Sequence, residues 1–207
     1  MAIKYNKNAK ERPVRGRPSR RPQIVAAAEE LIRTEGLAHA TTKAIAAKAG
    51  CSEGALYVHF NSRSELLLAV LEESLPDMLG PLRALEEAVG KATPRENLQR
   101  ALTAIFAFHQ RVIPGICALF AEPELLAEYR ASLLAQNKGP QGAIARLRKY
   151  IAAEQRLGRI SRKVDSEIAA TTLMANSFFR SFTGQFFGSS VGFERYCRRL
   201  IARVIEP

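Results

Sequence analysis

From Gln23 onward, apolar residues recur three and four positions apart, the spacing of one buried helical face. Ile24, Ala27, Ala28, Leu31 and Ile32 mark a first helix, and Gly36 stands where it should stop. The segment TTKAIAAKAG reads as a short second helix, capped by Thr41 or Thr42 and ended by Gly50. Ser52 can cap a third that runs to about His59. Ser62 and Glu65 have capping-box spacing ahead of a fourth, which should end near Pro76.

The later part continues in the same period. Thr93, Pro94 and Glu96 form a second capping box, with proline at the first helical position. That helix is expected to run to about Val112 and to break before Pro114. Further helices are expected from Pro123 to about Gln136, from KGPQG to Leu157, from an Asp165 cap to about Phe187, and from Gly192 to Ile205. No strand-like alternation of any length interrupts them, so the expected fold is all-α.

Residues 1–21 break the pattern. They hold eight bases and one acid, whereas residues 22–65 hold four bases and five acids, so much of the net charge of +11 lies in a short arm. With three prolines in its first 22 residues and few large apolar side chains, the arm cannot offset the entropy of ordering and should be disordered when free. A localised basic arm points to a polyanion, nucleic acid first.

Cys51, Cys117 and Cys197 are far apart with no CxxC spacing, and His39, His59 and His109 have no ligand companions, so no metal or cofactor site is expected. Neither a nucleophile motif nor a phosphate-cradling glycine loop is present, and catalysis is not expected. No unbroken apolar run approaches the ~18 residues of a membrane span, and the basic N-terminus lacks the apolar stretch of a signal peptide. A cytoplasmic protein with no membrane partner is therefore expected.

Residues 42–60 have the layout of a helix-turn-helix. Ala46 is small enough for a tight helix crossing, Gly50 accepts positive φ in the turn four residues on, and Leu56 can plug the second helix from inside. Ile45 and Ala49 complete the seam. The wider stretch TTKAIAAKAGCSEGALYVHFNSRSELLLAVL, with Thr42, Ile45-Ala46, Ala49-Gly50, Ser52, Gly54, Leu56-Tyr57, His59-Phe60, Arg63 and Glu65-Leu66, resembles the tetracycline-repressor (TetR) family of transcriptional regulators over about residues 24–68. The resemblance implies three parts: a basic arm (1–21), a three-helix DNA-binding domain (22–68), and a helical bundle for ligand binding and dimerisation (69–207). It implies a ligand-responsive regulator, a repressor by the family's commoner mode, that binds a pseudo-palindromic operator in double-stranded DNA as a homodimer and is released by a small-molecule effector.

Carried over by position, Thr42, with Lys43 beside it, and Arg63 would meet phosphates, Ser52 and Gly54 would allow close backbone approach, and Tyr57 and His59 would touch phosphate or base edges. Val58 would offer an apolar contact to a thymine methyl. Glu53 reverses the charge of the lysine frequent there; it either turns away or accepts a hydrogen bond from a cytosine amino group. Arg15-Gly16-Arg17-Pro18 is similar to an AT-hook core suited to a narrow minor groove. The effector should be mostly hydrophobic, with Phe106, His109, Arg111, Phe120, Asn176 and Phe179 as candidate contacts. Helices near 141–157 and 165–187 are the expected dimer surface. A basic architectural or surface-binding helical protein is the alternative; it would account for the arm but not for the Ala46, Gly50 and Leu56 spacing.

Overall fold

A computed structural model describes residues 19–74, 76–135, 140–188 and 192–206. These form α1 (Arg21–Glu35), a 3-10 turn (Leu37–His39), α2 (Thr42–Lys48), α3 (Glu53–Tyr57), α4 (Arg63–Ser74), α5 (Pro76–Glu87), α6 (Pro94–Leu119), α7 (Pro123–Ala135), α8 (Pro140–Arg156), α9 (Ser166–Phe187) and α10 (Phe193–Ile205). No strand occurs among the described residues.

The stop and start signals do what their chemistry requires. Gly36 takes φ +88° and Gly50 φ +65°, conformations that disfavour any side chain. The Thr93 hydroxyl accepts from the Glu96 amide at 3.2 Å, while Glu96 reaches back to the Thr93 amide at 3.0 Å. Asp165 accepts from the amides of Glu167 and Ile168. At α4, Ser62 accepts from the Glu65 amide at 3.0 Å, but Glu65 turns to the amide of Asn61 at 2.7 Å, one residue earlier than the reciprocal box expects.

One expectation based on proline is corrected, and one unassigned stretch proves helical. Nothing was assigned between Pro76 and Thr93, where α5 forms around an internal Pro81. It buries Met78, Leu82 and Leu85. Burial worth about 2 kcal/mol per side chain outweighs the ~3 kcal/mol that an interior proline costs. Likewise α6 passes through Pro114 and continues to Leu119. Pro114 has no N–H for the Gln110 carbonyl; that carbonyl instead accepts from Gln185 Nε2 of α9 at 3.1 Å. The freed acceptor is thus satisfied across a helix interface.

Two apolar cores result. The first joins α1 to α4 through Ile24, Ala28, Leu31, Ile45, Leu56, Phe60 and Leu66, and extends to Leu119 and Leu125 of α6 and α7. Ala69, Val70 and Leu71 belong to it, so the boundary expected after Leu68 falls inside α4. The second core packs α5, α6, α8, α9 and α10 around Leu98, Leu102, Ile105, Leu147, Tyr150, Leu173 and Ile201. By length and composition α6 could cross a membrane, but it is the central helix of this core and packs against α5, α9 and α10. Its C-terminal half also lies against α1 and α4, where a Cβ on Gly115 would stand 3.5 Å from Leu71 Cδ2.

A polar knot closes the far end of the second core. Glu154, fully buried, accepts from the Gly90 amide at 3.1 Å and faces Arg159 Nε at 3.3 Å as an ion pair. Arg159 in turn donates to the carbonyls of Lys91 and Ala92. Asn97 Nδ2 donates to Tyr150 Oη at 3.1 Å and to Lys91 O at 2.8 Å. Burial pushes the Tyr150 phenol up to about 12. The knot ties the end of α8 to the α5–α6 turn.

Candidate nucleic-acid interface

The α2–turn–α3 unit is built from the inside. Thr41 caps α2 by accepting from the Ala44 amide at 3.2 Å, and Ser52 caps α3 by accepting from Ala55 N at 3.1 Å. Ile45, Ala46, Leu56 and Phe60 are buried, which fixes α3 against α2. The opposite side of α3 is open: Ser52, Glu53 and Gly54 are exposed, Tyr57 is 48% exposed and Val58 80%. Lys43 is exposed and His59 half-buried. A Cβ on Gly54 would meet nothing nearer than Ser52 Oγ at 4.0 Å, so internal packing does not require glycine there. A helical glycine costs about 1 kcal/mol relative to alanine. Its presence on the open side fits close approach by an external backbone.

Three contacts redirect expectations. Arg63 is not a free phosphate ligand: Nε donates to Ala40 O at 3.2 Å, Nη2 to Leu37 O at 2.8 Å, and Nη1 pairs with Glu122 at 3.1 Å. It bonds the turn after α1 and the residue before α7 to the start of α4. Thr42 Oγ1 donates to Glu53 Oε1, so the hydroxyl expected on a phosphate is engaged within the unit. Arg15 and Arg17 lie outside the described residues, but the arm's exit is held. Arg20 Nη1 donates to Gly50 O at 2.9 Å, and Arg21 pairs with Glu73 and lies 5.1 Å over the Phe60 ring. Arg20 is therefore held beside the turn between α2 and α3, which the sequence did not reveal.

The six effector candidates divide. Phe106 is buried and stacked on Phe193 at 3.7 Å. His109 is buried between Phe108 and Phe178, with Nδ1 3.3 Å from Ser177 Oγ. Asn176 donates to Thr172 O at 2.9 Å and accepts from Tyr196 Oη, whose ring carries Arg180 at 4.8 Å. These three lie where α9 packs on α6 and α10. The other three do not join them. Arg111 pairs with Glu29 of α1 at 3.2 Å and with Asp77 of α5, bonding the two cores together. Phe120 is 67% exposed at the C-cap of α6, and Phe179 is 62% exposed on the outer side of α9. Buried Ser177 and Ser181 were missed; Ser181 Oγ donates to Phe106 O at 3.3 Å. An isolated serine in a helical sequence carries no signal of burial.

Desolvation pulls His109 down to about 4. Since the unfolded imidazole titrates near 6.5, the folded chain holds it neutral, and stability present above pH 6.5 is lost as pH falls toward 4, by up to about 3 kcal/mol. The expected result is a steeper acid loss of denaturation midpoint for the wild type than for His109→Gln between pH 7 and 4.5. Parallel profiles would show that His109 is not held neutral by burial.

A family model described as bacterial regulatory proteins, tetR family, matches residues 24–70. The chain is 30% identical to the HTH-type transcriptional activator FasR of Mycolicibacterium smegmatis over 159 residues, 72% of this chain and 71% of that protein. A crystal structure of a TetR-family regulator of Mesorhizobium loti superposes with a TM-score of 0.71 at 18% identity, covering 92% of this chain and 96% of that one. The regulator FadR of Bacillus subtilis, in complex with stearoyl-CoA, superposes at 0.64 and 18% identity over 89% of this chain and 97% of its own.

Proposed function

Because the chain belongs to the TetR family of bacterial regulatory proteins, whose members are DNA-binding transcriptional regulators rather than enzymes, we propose that it is a cytoplasmic, effector-released regulator that reads a pseudo-palindromic operator as a homodimer. The observation that carries the reading is the α2–α3 unit: a positive-φ turn at Gly50, Leu56 and Phe60 sealed inside, and Ser52, Gly54, Tyr57 and Val58 open outward. Tyr57 and His59 are proposed to contact phosphate or base edges, Val58 a thymine methyl, and Lys43 a phosphate.

Dimerisation is proposed through α8 and α9 paired with their symmetry mates as a four-helix bundle. Ile168, Ala175, Phe179 and Phe186 fall on one line along α9 and all are exposed in the single chain. A second copy is the simplest cover for that stripe. Phe179→Glu is expected to yield a monomer by light scattering at micromolar concentration and to abolish operator binding, with α-helical content unchanged. A dimer that persists would place the interface elsewhere.

The effector is proposed to be small and mostly hydrophobic, entering the layer around Phe106, with His109–Ser177 and Asn176–Tyr196 as its polar handles. FadR of Bacillus subtilis, in complex with stearoyl-CoA, supports this reading as a structural neighbour. Repression by occlusion is the proposed mode; FasR is named an activator, and a reporter assay separates the two. Selection from a random duplex pool followed by footprinting tests the whole reading. It should give two half-sites with centres about 34–36 Å apart or a multiple of that. Uniform coating of all duplexes would favour the architectural alternative.

A further inference from the structure

We infer that Glu53 is a specificity-determining residue that acts by competing with the DNA backbone for the Thr42 hydroxyl; this rests on the DNA-binding reading above. Thr42 Oγ1 has one proton, and in the free protein it is donated to Glu53 Oε1. Both residues stand at the start of their helices, α2 and α3, on the open side of the reading unit. For Thr42 to donate to a phosphate, that bond must break. Glu53 is then left as an unpartnered anion beside a second anion, and no cation pairs with it among the described residues.

The consequence depends on the base pair below. On arbitrary sequence, Glu53 meets phosphate repulsion or acceptor atoms of the major groove, and the complex is weakened. Where a cytosine amino group lies within reach, the carboxylate accepts its N–H, and Thr42 is released to the backbone without loss. The pair thus exchanges one internal hydrogen bond for two external ones on the correct sequence and for about one on a wrong one. Discrimination comes from the penalty on wrong sites as much as from the contact on the right one. The two readings of Glu53 left open by sequence, turned away or reading cytosine, become the free and bound states of one device.

The test compares the duplex recovered by selection with a 30-base-pair random-sequence pool, by fluorescence anisotropy at fixed salt. Glu53→Gln removes the charge but keeps a hydrogen-bonding side chain. It should tighten binding to the random pool by about three- to tenfold, raise the salt slope for that pool, and change operator affinity less, so the specificity ratio falls. Repeating the selection with Glu53→Gln should relax preference at one symmetric pair of positions. Thr42→Val, which leaves Glu53 without its internal donor, should weaken both affinities. Equal tightening on both duplexes, or no change on the random pool, would overturn the inference while leaving the operator reading intact. Loss of all sequence preference in the wild type would remove both together.

Discussion

Removing residues 1–18 is expected to weaken operator binding by on the order of 10²–10³ at ~0.1 M salt and to flatten the slope of log K against log salt by about five. The deleted segment holds six bases and one acid per subunit. If each arm of a dimer neutralises about three phosphates, six counterions fewer are released, each worth roughly 0.9 in the slope. The cut is placed before Arg20 and Arg21 because those two bond to Gly50 and Glu73 and hold the start of α1. Deleting them would mix a folding effect with an electrostatic one. Anisotropy titrations from 50 to 300 mM salt give the slope directly, and an unchanged slope rules out the arm as a source of affinity. Arg15 and Arg17 add a finer readout. If they lie in the minor groove, changing flanking A·T pairs to G·C places a guanine amino group in their path, weakening the full-length protein but not the truncated one.

Glu154→Ala is expected to cost about 3–5 kcal/mol of stability, because it leaves a largely buried cation without its partner and the Gly90 amide unpaired. In a domain of this size that corresponds to a fall in Tm of roughly 10 °C. The residues stranded are Arg159, whose side chain is only 25% exposed, and the Gly90 amide. Glu154→Gln keeps an acceptor for Gly90 and loses only the charge, so a smaller loss is expected. Scanning calorimetry of the three proteins checks the order. A loss below about 1 kcal/mol for the alanine variant would place this pair with ordinary surface ion pairs. The buried site and its three carbonyl and amide contacts argue for the larger figure.

Local chemistry was legible in the sequence. Gly36 and Gly50 mark turns because few other residues hold positive φ there, and Thr93–Glu96 and Asp165 mark helix starts because their side-chain oxygens take free amides. Pro114 misled because the cost of a proline is local and its compensation is not. Pro81 is outweighed by burial of Met78, Leu82 and Leu85, and the Gln110 carbonyl freed by Pro114 is satisfied by Gln185, 75 residues away. The same distance separates expectation from finding at the charged residues. Arg63 finds Glu122 59 residues on, and Arg111 finds Asp77 34 residues back. No short-range pattern announces either bond, so an arginine beside a reading unit or within a phenylalanine-rich helix reads as a ligand. The open side of α3 was legible because its spacing alone separates Leu56 and Phe60 from Tyr57 and Val58.

The bond from Arg20 to Gly50 also has a kinetic meaning. The nineteen residues that precede that anchor span at most about 65 Å when extended, enough to pass around a duplex if its major groove held α3. Once α3 is seated, capture of the arm is an intramolecular event at an effective concentration in the millimolar range. Arm and helix then behave as two linked ligands, and either can let go and rebind while the other holds. If the proposed DNA-binding function holds, removing residues 1–18 is expected to shorten residence on the operator more than it slows the first encounter.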